Sequence, residues 1–242
     1  MASTRLFYGL LICLVISCSD GKKDTQFSNQ DEKKSSESQK EVYQSDSEEE
    51  STFEEVKLKK PADSITNKNT VAFLEKYGSL NSETELVIKT RLGDIGLRLY
   101  EDTPLHRASF VFLAKVGYFD TTCFYRVVPE FIIQGGESER LDTQRYKARY
   151  MRYKIPPEFR ENRKHKYGAI ALARDWVNNP QKKSTAFEFY IVQNRKGAHH
   201  LDGEHTVFGE VTYGFETIDK IVNLEAGSDE SVSYTHLRAH ET

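Results

Sequence analysis

The chain has 242 residues and a formal net charge of −3, with 34 Lys and Arg against 37 Asp and Glu. This near-balance provides no broad basic field, so we expect no nucleic-acid partner. Hydrophobic residues make up 38% of the chain, which is low for a fully globular protein. We therefore expect part of the chain to be disordered and the rest to form one or two domains.

The first 18 residues have the pattern of an export signal. Arg5 precedes a short apolar run, 6–16, that has fewer than the ~20 residues that a transmembrane helix needs. The run ends in VISC, which resembles a bacterial lipobox and implies lipidation of Cys18. An ordinary signal peptide and a short membrane anchor are the alternatives. We predict a lipoprotein signal peptide over 1–18.

Lipidation of Cys18 implies a location in the bacterial cell envelope. We expect the protein to be anchored to a membrane by lipid, to the outer membrane rather than the inner one. The domain that follows would then face the periplasm or the cell surface.

We assign residues 19–84 to a disordered linker. The part up to about Lys60 is rich in Ser, Gln, Glu and Lys, so it has too little apolar surface to offset the entropy of ordering. The part over 61–84 contains NTVAFLEKYGSL, which has a weak helical period. Two alternatives stay open there, a short helix docked on the domain and a continuation of the linker.

The folded part begins near Glu85. ELVIKT and IGLRLY flank a turn at 92–94, which predicts a β-hairpin. Thr103-Pro104 predicts the start of a helix, and Gly117 predicts its end. Further strands are predicted at about 123–128, 131–134, 168–173, 187–192 and 205–211, and a second amphipathic helix at 213–224. Many short strands with two helices favour a closed β-barrel with helices at its ends.

Two stretches stand apart from this pattern. Residues 140–166 hold ten Lys and Arg against three acidic residues. They form either a patch for an acidic partner or anionic lipid head groups, or a solvated loop, and we favour the loop.

Residues 227–242 lack apolar alternation, so we predict no closing strand there and interpret them as an atypical tail, a candidate artefact that replaces the genuine end from about Ser231. A barrel without its last strand exposes unpaired main-chain groups and is destabilised.

The most informative motif is FYRVVPEFIIQGGE at 124–137. An arginine in an apolar run is unusual, because burying its charge without partners costs several kcal/mol. Arg126 therefore has either a place on the wet face of an amphipathic strand or a function at a site. The surrounding motif favours the second interpretation.

This motif resembles the signature of the cyclophilin-type peptidyl-prolyl isomerases. Companion motifs follow in the expected order: GAIALAR at 168–174, FEFYIVQ at 187–193 and HLDGEHTVFGEV at 200–211. The resemblance runs from about Glu85 to about Val222, and we assign 85–226 to the isomerase domain. It implies a mainly β fold, a closed eight-stranded barrel capped by two helices and preceded by the disordered tether.

Isomerisation of an X-Pro bond faces a barrier of ~20 kcal/mol, because resonance gives the C–N bond partial double-bond character. Lowering it needs an apolar socket for the proline ring and a donor aimed at the imide nitrogen, but no metal or cofactor. A guanidinium group suits the donor's task, since it is always charged and rigid. The resemblance implies that Arg126 is this donor and that Gln134 holds it. It also implies that Ala173 and the main chain of Arg174 bind a flanking residue, and that the proline socket consists of Phe131, Ile132, Tyr190, Leu201 and His205.

The chain departs from well-known family members in several places. It has Glu188-Phe189-Tyr190 where many have Gln-Phe-Phe, Arg174 where many have Asn, and His200 in place of a tryptophan at the pocket rim. We expect an altered peptide preference, a tether between Glu188 and Arg126, and weaker binding of cyclosporin-like macrocycles because an indole wall is lost. We expect no metal site, since adjacent histidines on an extended segment point to opposite faces.

The sequence thus predicts a peptidyl-prolyl cis-trans isomerase that accelerates the folding of exported or envelope proteins. We expect it to act as a monomer on proline-containing polypeptides, without a cofactor. The alternative is a non-catalytic proline-peptide binding module or chaperone. The intact Arg126 favours catalysis.

Overall fold

The computed structural model of the chain describes residues 58–61, 64–224 and 232–239. The predicted signal peptide, Cys18 and most of the predicted linker lie outside these residues. Within the described part of the chain, no helix combines the length and the apolar character that crossing a membrane requires.

Helices and short strands alternate along the described chain. The α-helices are α1 Thr70–Leu80, α2 Pro104–Lys115, α3 Leu141–Tyr150 and α4 Phe215–Val222. The strands are β1 Ile65–Thr66, β2 Glu85–Thr90, β3 Gly93–Leu99, β4 Thr122–Val128, β5 Ile132–Glu137, β6 Met151–Arg152, β7 Lys154–Ile155, β8 Ala169–Leu172, β9 Ser184–Thr185, β10 Phe189–Val192, β11 Val207–Tyr213 and β12 Val232–Ala239. Single 3₁₀ turns occur at Phe119–Thr121 and His199–Leu201.

Seven strands form a curled antiparallel sheet in the order β4-β5-β10-β8-β11-β3-β2. Its concave face encloses an aromatic core in which the ring of Phe110 lies 4.8 Å from that of Phe119 and 5.4 Å from that of Phe189. Offset and edge-to-face contacts of this kind stabilise a core beyond the burial of area alone. The fold is therefore mainly β, as predicted.

The last strand, β12, pairs antiparallel with β2 on one side and with β4 on the other. The sequence predicts no strand in 227–242, so the structure differs from that expectation. The physical reason is that strand pairing uses main-chain N–H and C=O groups, which the edges of β2 and β4 present whatever the side-chain pattern of the added strand. The interpretation of 227–242 as an artefact stays a prediction.

Helix α2 begins and ends where the sequence predicts. Pro104 occupies its first position, and Gly117 adopts φ +78 just after its last turn. Thr103 forms no side-chain cap. Instead, the carboxylate of Glu158 accepts hydrogen bonds from the main-chain N–H groups of Leu105 at 3.1 Å and His106 at 2.9 Å. A residue more than fifty positions away therefore caps this helix.

Two further helices correct the sequence-based assignments. Helix α1 matches the docked-helix alternative for 61–84 rather than a continued linker, because Phe73 and Tyr77 pack edge-on against Phe112 of α2 with both ring centroids at 5.2 Å. Helix α3 lies in the basic stretch that was assigned to a solvated loop, and it buries one side through Thr143 and Tyr146. The structure thus has helices beyond the two that the sequence predicts.

Candidate functional site

A cavity of about 420 Å³ opens on the sheet beside the 3₁₀ turn at His199–Leu201. All eleven catalytic and substrate-binding residues predicted from the sequence line it. They are Arg126, Phe131, Ile132, Gln134, Ala173, Arg174, Glu188, Tyr190, His200, Leu201 and His205. Three lining residues were not predicted, namely Asp175, Trp176 and Thr185.

Strand register brings the polar residues of this cavity together. Gln134 of β5 lies opposite Arg126 of β4 on one side and opposite Tyr190 of β10 on the other. Directly opposite residues of antiparallel strands share a face, so the three side chains form one row across the sheet. The β4–β5 register shifts between Phe124 and Arg126. Such a bulge re-aims side chains, which explains why Tyr125 and Arg126 are both exposed although they are consecutive.

A hydrogen bond to the side-chain amide of Gln134 orients Arg126. Its Nη1 donates a hydrogen bond to Gln134 Oε1 at 3.2 Å. Among the described residues it has no other hydrogen-bond acceptor, so its remaining N–H groups can point to a ligand. The guanidinium thus stays an oriented donor group at the cavity wall.

Glu188 holds Gln134 rather than Arg126. Its Oε2 accepts hydrogen bonds from Gln134 Nε2 at 3.2 Å and from the hydroxyl of Tyr125 at 2.8 Å, and Gln134 Nε2 also donates to that hydroxyl. The expected tether between Glu188 and Arg126 is therefore indirect and passes through Gln134. Burial and the bond to Glu188 raise the pKa of Tyr125, which keeps its hydroxyl protonated as a donor.

Next to this polar group, the cavity lining forms an apolar socket. Ile132, Tyr190 and Leu201 are buried, and the rings of Phe131 and His200 stack at 5.4 Å. His205 closes the socket with its ring edge-on to Tyr190 at 5.6 Å.

His205 carries no charge near neutral pH. Its Nδ1 lies 3.2 Å from the main-chain oxygen of Leu172, which assigns a donor hydrogen to this nitrogen. Burial lowers the pKa of His205 to about 4. The socket is therefore both apolar in shape and uncharged.

A buried hydrogen-bonded chain supports the socket from behind. His165 Nε2 lies 3.0 Å from the hydroxyl of Tyr190, and His165 Nδ1 lies 2.8 Å from Asp202 Oδ1. Asp202 also accepts from His199 Nδ1 at 3.1 Å. Burial lowers the pKa of His165, so its ring is neutral and bridges a hydroxyl and a carboxylate. His165 and Asp202 lie 37 positions apart, and no local sequence pattern indicates their pairing.

The side chain of Arg174 is fixed at the cavity wall by its neighbours. It is 5% exposed, and its Nη2 pairs with Glu204 Oε2 at 2.6 Å. Its guanidinium carbon lies 4.2 Å from the ring centre of Trp176. The sequence signal for Trp176 was an isolated tryptophan in a polar loop, next to a predicted binding strand.

Comparison with known proteins agrees with this geometry. A family model described as cyclophilin type peptidyl-prolyl cis-trans isomerase/CLD matches residues 85–238. A peptidyl-prolyl cis-trans isomerase of Dictyostelium discoideum is 31% identical over 153 residues, covering 62% of this chain and 92% of that protein. One of Acinetobacter baylyi is 30% identical, covering 59% of this chain and 74% of that protein.

Two other proteins show how far the similarity extends. A putative bifunctional phosphatase/peptidyl-prolyl cis-trans isomerase of Streptococcus pyogenes is 29% identical over 72% of this chain, and the match spans less than half of that protein, 45%. A crystal structure of a Cryptosporidium parvum cyclophilin type isomerase in the presence of the dipeptide Ala-Pro covers 65% of this chain and 99% of that one, with 21% identity and a TM-score of 0.52. That likeness shows the fold. With the family model matched over most of the chain, the protein belongs to the cyclophilin-type peptidyl-prolyl cis-trans isomerase family.

Proposed function

We propose that this protein catalyses the cis–trans isomerisation of X-Pro bonds in polypeptides. The observation that carries the proposal is the pairing of Arg126, an oriented charged donor, with an uncharged apolar socket across one cavity. Its volume of about 420 Å³ falls in the range of ~300–1,000 Å³ that is usual for ligand sites. Family membership supports the same reaction.

The mechanism follows from the amide resonance of the substrate. A hydrogen bond from Arg126 to the imide nitrogen withdraws the nitrogen lone pair from the C–N bond, which lowers the barrier to rotation. That hydrogen bond is stronger in the twisted transition state than in the planar ground state, so it accelerates the reaction rather than only tightening binding. Gln134 orients the guanidinium, and the socket around Tyr190 and His205 holds the proline ring. No covalent intermediate, metal or cofactor takes part.

An isomerisation assay on the purified protein without residues 1–18 tests this function. We expect faster cis–trans exchange of an Ala-Pro peptide, followed by protease-coupled detection or by exchange NMR. The competing hypothesis is a proline-peptide binding module. Saturable peptide binding with no acceleration of exchange supports that module and overturns the catalytic proposal.

We also propose that the protein is a lipoprotein of the bacterial cell envelope, whose clients are exported or envelope proteins. The support is the VISC sequence at 15–18, which begins within the apolar run and ends in Cys18. Metabolic labelling with a fatty acid should mark the full-length protein and the Cys13→Ser variant but not Cys18→Ser. Label that persists in Cys18→Ser disproves the anchor. Membrane fractionation of the labelled protein then tests the outer-membrane assignment.

We further propose that β12 closes the curled sheet into an eight-stranded barrel. The support is its antiparallel pairing with both edge strands, β2 and β4. Removing residues 225–242 should then leave two strand edges unpaired and lower the free energy of unfolding by several kcal/mol, a large part of a domain's ~5–15 kcal/mol. Unchanged denaturant unfolding of the shortened chain contradicts closure by this strand.

A further inference from the structure

Trp176 lies at the edge of the cavity and is the single tryptophan of the chain. Its side chain is 64% exposed, and that of its neighbour Val177 is 75% exposed. A large exposed aromatic side chain beside a binding cavity indicates a contact surface for a ligand, because an indole in water gains free energy when it is covered.

The indole is held in place although it is exposed. The guanidinium carbon of Arg174 lies 4.2 Å from the ring centre, and the ring of His205 meets the indole edge-on with 5.3 Å between centroids. Arg174 is itself fixed by the 2.6 Å ion pair with Glu204, which also pairs with Lys182 at 2.6 Å. One part of the ring is thus covered by protein, while the rest faces solvent. An aromatic surface that is already ordered loses little entropy on binding a ligand.

The indole borders the socket, because its ring centroid lies 5.3 Å from that of the socket residue His205. In an extended chain, side chains two positions apart lie on the same face, separated by ~6.6 Å. His205 belongs to the socket, and Trp176 lies one ring contact farther along the cavity wall. When a proline fills the socket, the side chain two positions away on that side therefore reaches the indole.

We propose that Trp176 forms a second subsite, which binds an apolar or aromatic side chain two positions from the substrate proline. The guanidinium of Arg174 is already paired with Glu204, so the indole offers an apolar surface rather than an unpaired charge. This subsite rests on the isomerase function proposed above. This chain has His200 where some family members have a tryptophan at the pocket rim. Trp176 would supply an indole surface in its place, from a different loop.

Two series of Ala-rich peptides test the subsite, each with a central Ala-Pro. One series varies the residue two positions before the proline and the other the residue two positions after it, as Ala, Leu, Phe or Asp. In one series, the wild-type protein should favour Phe over Ala by about tenfold in kcat/KM, the magnitude of one good aromatic contact. Asp should bring no gain.

Variants then assign the preference to the indole. Trp176→Ala should reduce the ratio between Phe and Ala peptides to near one, and Trp176→Phe should retain most of it. Leu141→Ala, which removes an exposed apolar side chain of α3 outside the cavity lining, should keep the wild-type ratio. An equal ratio in wild type and Trp176→Ala overturns the subsite.

Fluorescence gives a second readout that does not depend on turnover. Because Trp176 is the single tryptophan, selectively excited emission reports on this ring alone. Saturation with the preferred Phe peptide should shift the emission to shorter wavelength more than the Ala peptide does. If the shift occurs but no peptide is isomerised, the isomerase proposal fails while the subsite stands. If isomerisation occurs with no shift and no Phe preference, the subsite fails while the isomerase proposal stands.

Discussion

The two sides of the cavity are built by different means. On one side, Arg126, Gln134 and Tyr190 project from three neighbouring strands whose register is set by main-chain hydrogen bonds. On the other side, the segments 173–176 and 199–205 are loops and a short turn. The first side takes its geometry from the sheet, and the second takes it from main-chain turns together with long-range side-chain contacts.

Those contacts are few and specific. His165 forms hydrogen bonds with both Asp202 and Tyr190. The guanidinium of Arg174, which pairs with Glu204, packs on the ring of Trp176. A substitution on the loop side can therefore change the shape of the cavity while the sheet keeps its register. We expect changes on the sheet side to affect the chemical step, and changes on the loop side to affect peptide choice and local stability.

Arg126→Ala tests the sheet side and should have the largest effect. Removing the donor to the imide nitrogen should lower kcat/KM by about 100-fold or more, equivalent to ~3 kcal/mol of transition-state stabilisation. The fold should persist, because Arg126 is exposed and its partner Gln134 keeps its bonds to Glu188 and Tyr125. The measurement is exchange kinetics together with a thermal unfolding curve.

The matched control for this variant is Arg149→Ala, which removes an exposed arginine of α3 that lies outside the cavity. It should have wild-type kinetics. Near-wild-type turnover in Arg126→Ala removes the guanidinium from the mechanism.

The sheet side could be predicted from the sequence because its residues lie close together in the chain. Arg126, Phe131 and Gln134 belong to one motif that carries the family resemblance, and the pairing of β4 with β5 brings its ends to the cavity. The loop side was predicted only in part. Ala173 and Leu201 were predicted from the family resemblance. Trp176 was not predicted, because it belongs to none of the family motifs and to no predicted strand or helix.

The supporting contacts were beyond prediction for a physical reason. The pairs of His106 with Glu158 and of His165 with Asp202 join residues 52 and 37 positions apart, and local periodicity carries no information about such distances. The sequence does not decide between a helix and a linker at α1. Its aromatic residues are buried only by their contact with α2, and the sequence does not show that contact.

The two histidine–carboxylate pairs allow a direct test of the loop side. His106 Nδ1 lies 2.6 Å from Glu158 Oε2 and His106 Nε2 lies 3.0 Å from Ser184 Oγ, in a buried site that does not line the cavity. Glu158→Gln places an amide N–H against a main-chain N–H group of α2, and Asp202→Asn replaces the charged acceptor of the buried His165 with a neutral one. Each should lower the free energy of unfolding by about 1–3 kcal/mol.

The kinetics should separate these two variants. Asp202→Asn should raise KM several-fold with little change in kcat, because Tyr190 and the turn beside Leu201 lose their support. Glu158→Gln should leave both constants unchanged at a temperature where it is folded. Equal kinetic effects in the two variants would show that the His165 chain has no special relation to the cavity.

Acidification should weaken the folded state through the same buried histidines. Burial lowers the pKa of His106, His165 and His205 in the folded protein, the last to about 4. An unfolded histidine titrates near ~6.5, so between that pH and about 4 the unfolded state binds more protons and stability falls as pH falls. Thermal unfolding should thus be independent of these groups above about pH 7 and shift to lower temperature below pH 6. His205→Gln should show a shallower decrease, and an identical slope in both proteins contradicts the assignment to His205.

The smallest effect is expected for Tyr125→Phe, which refines the description of the sheet side. The Tyr125 hydroxyl bridges Gln134 and Glu188, but Gln134 Nε2 also reaches Glu188 Oε2 directly at 3.2 Å. Losing one exposed hydrogen bond of ~0.5–1 kcal/mol should therefore reduce kcat/KM only about two- to fivefold. Gln134→Ala, which removes the acceptor of Arg126 itself, should reduce it further. If Tyr125→Phe instead lowers kcat/KM as much as Arg126→Ala does, the orientation of the guanidinium depends on the whole network of Tyr125, Gln134 and Glu188. Strand register alone then does not fix the catalytic side of the cavity.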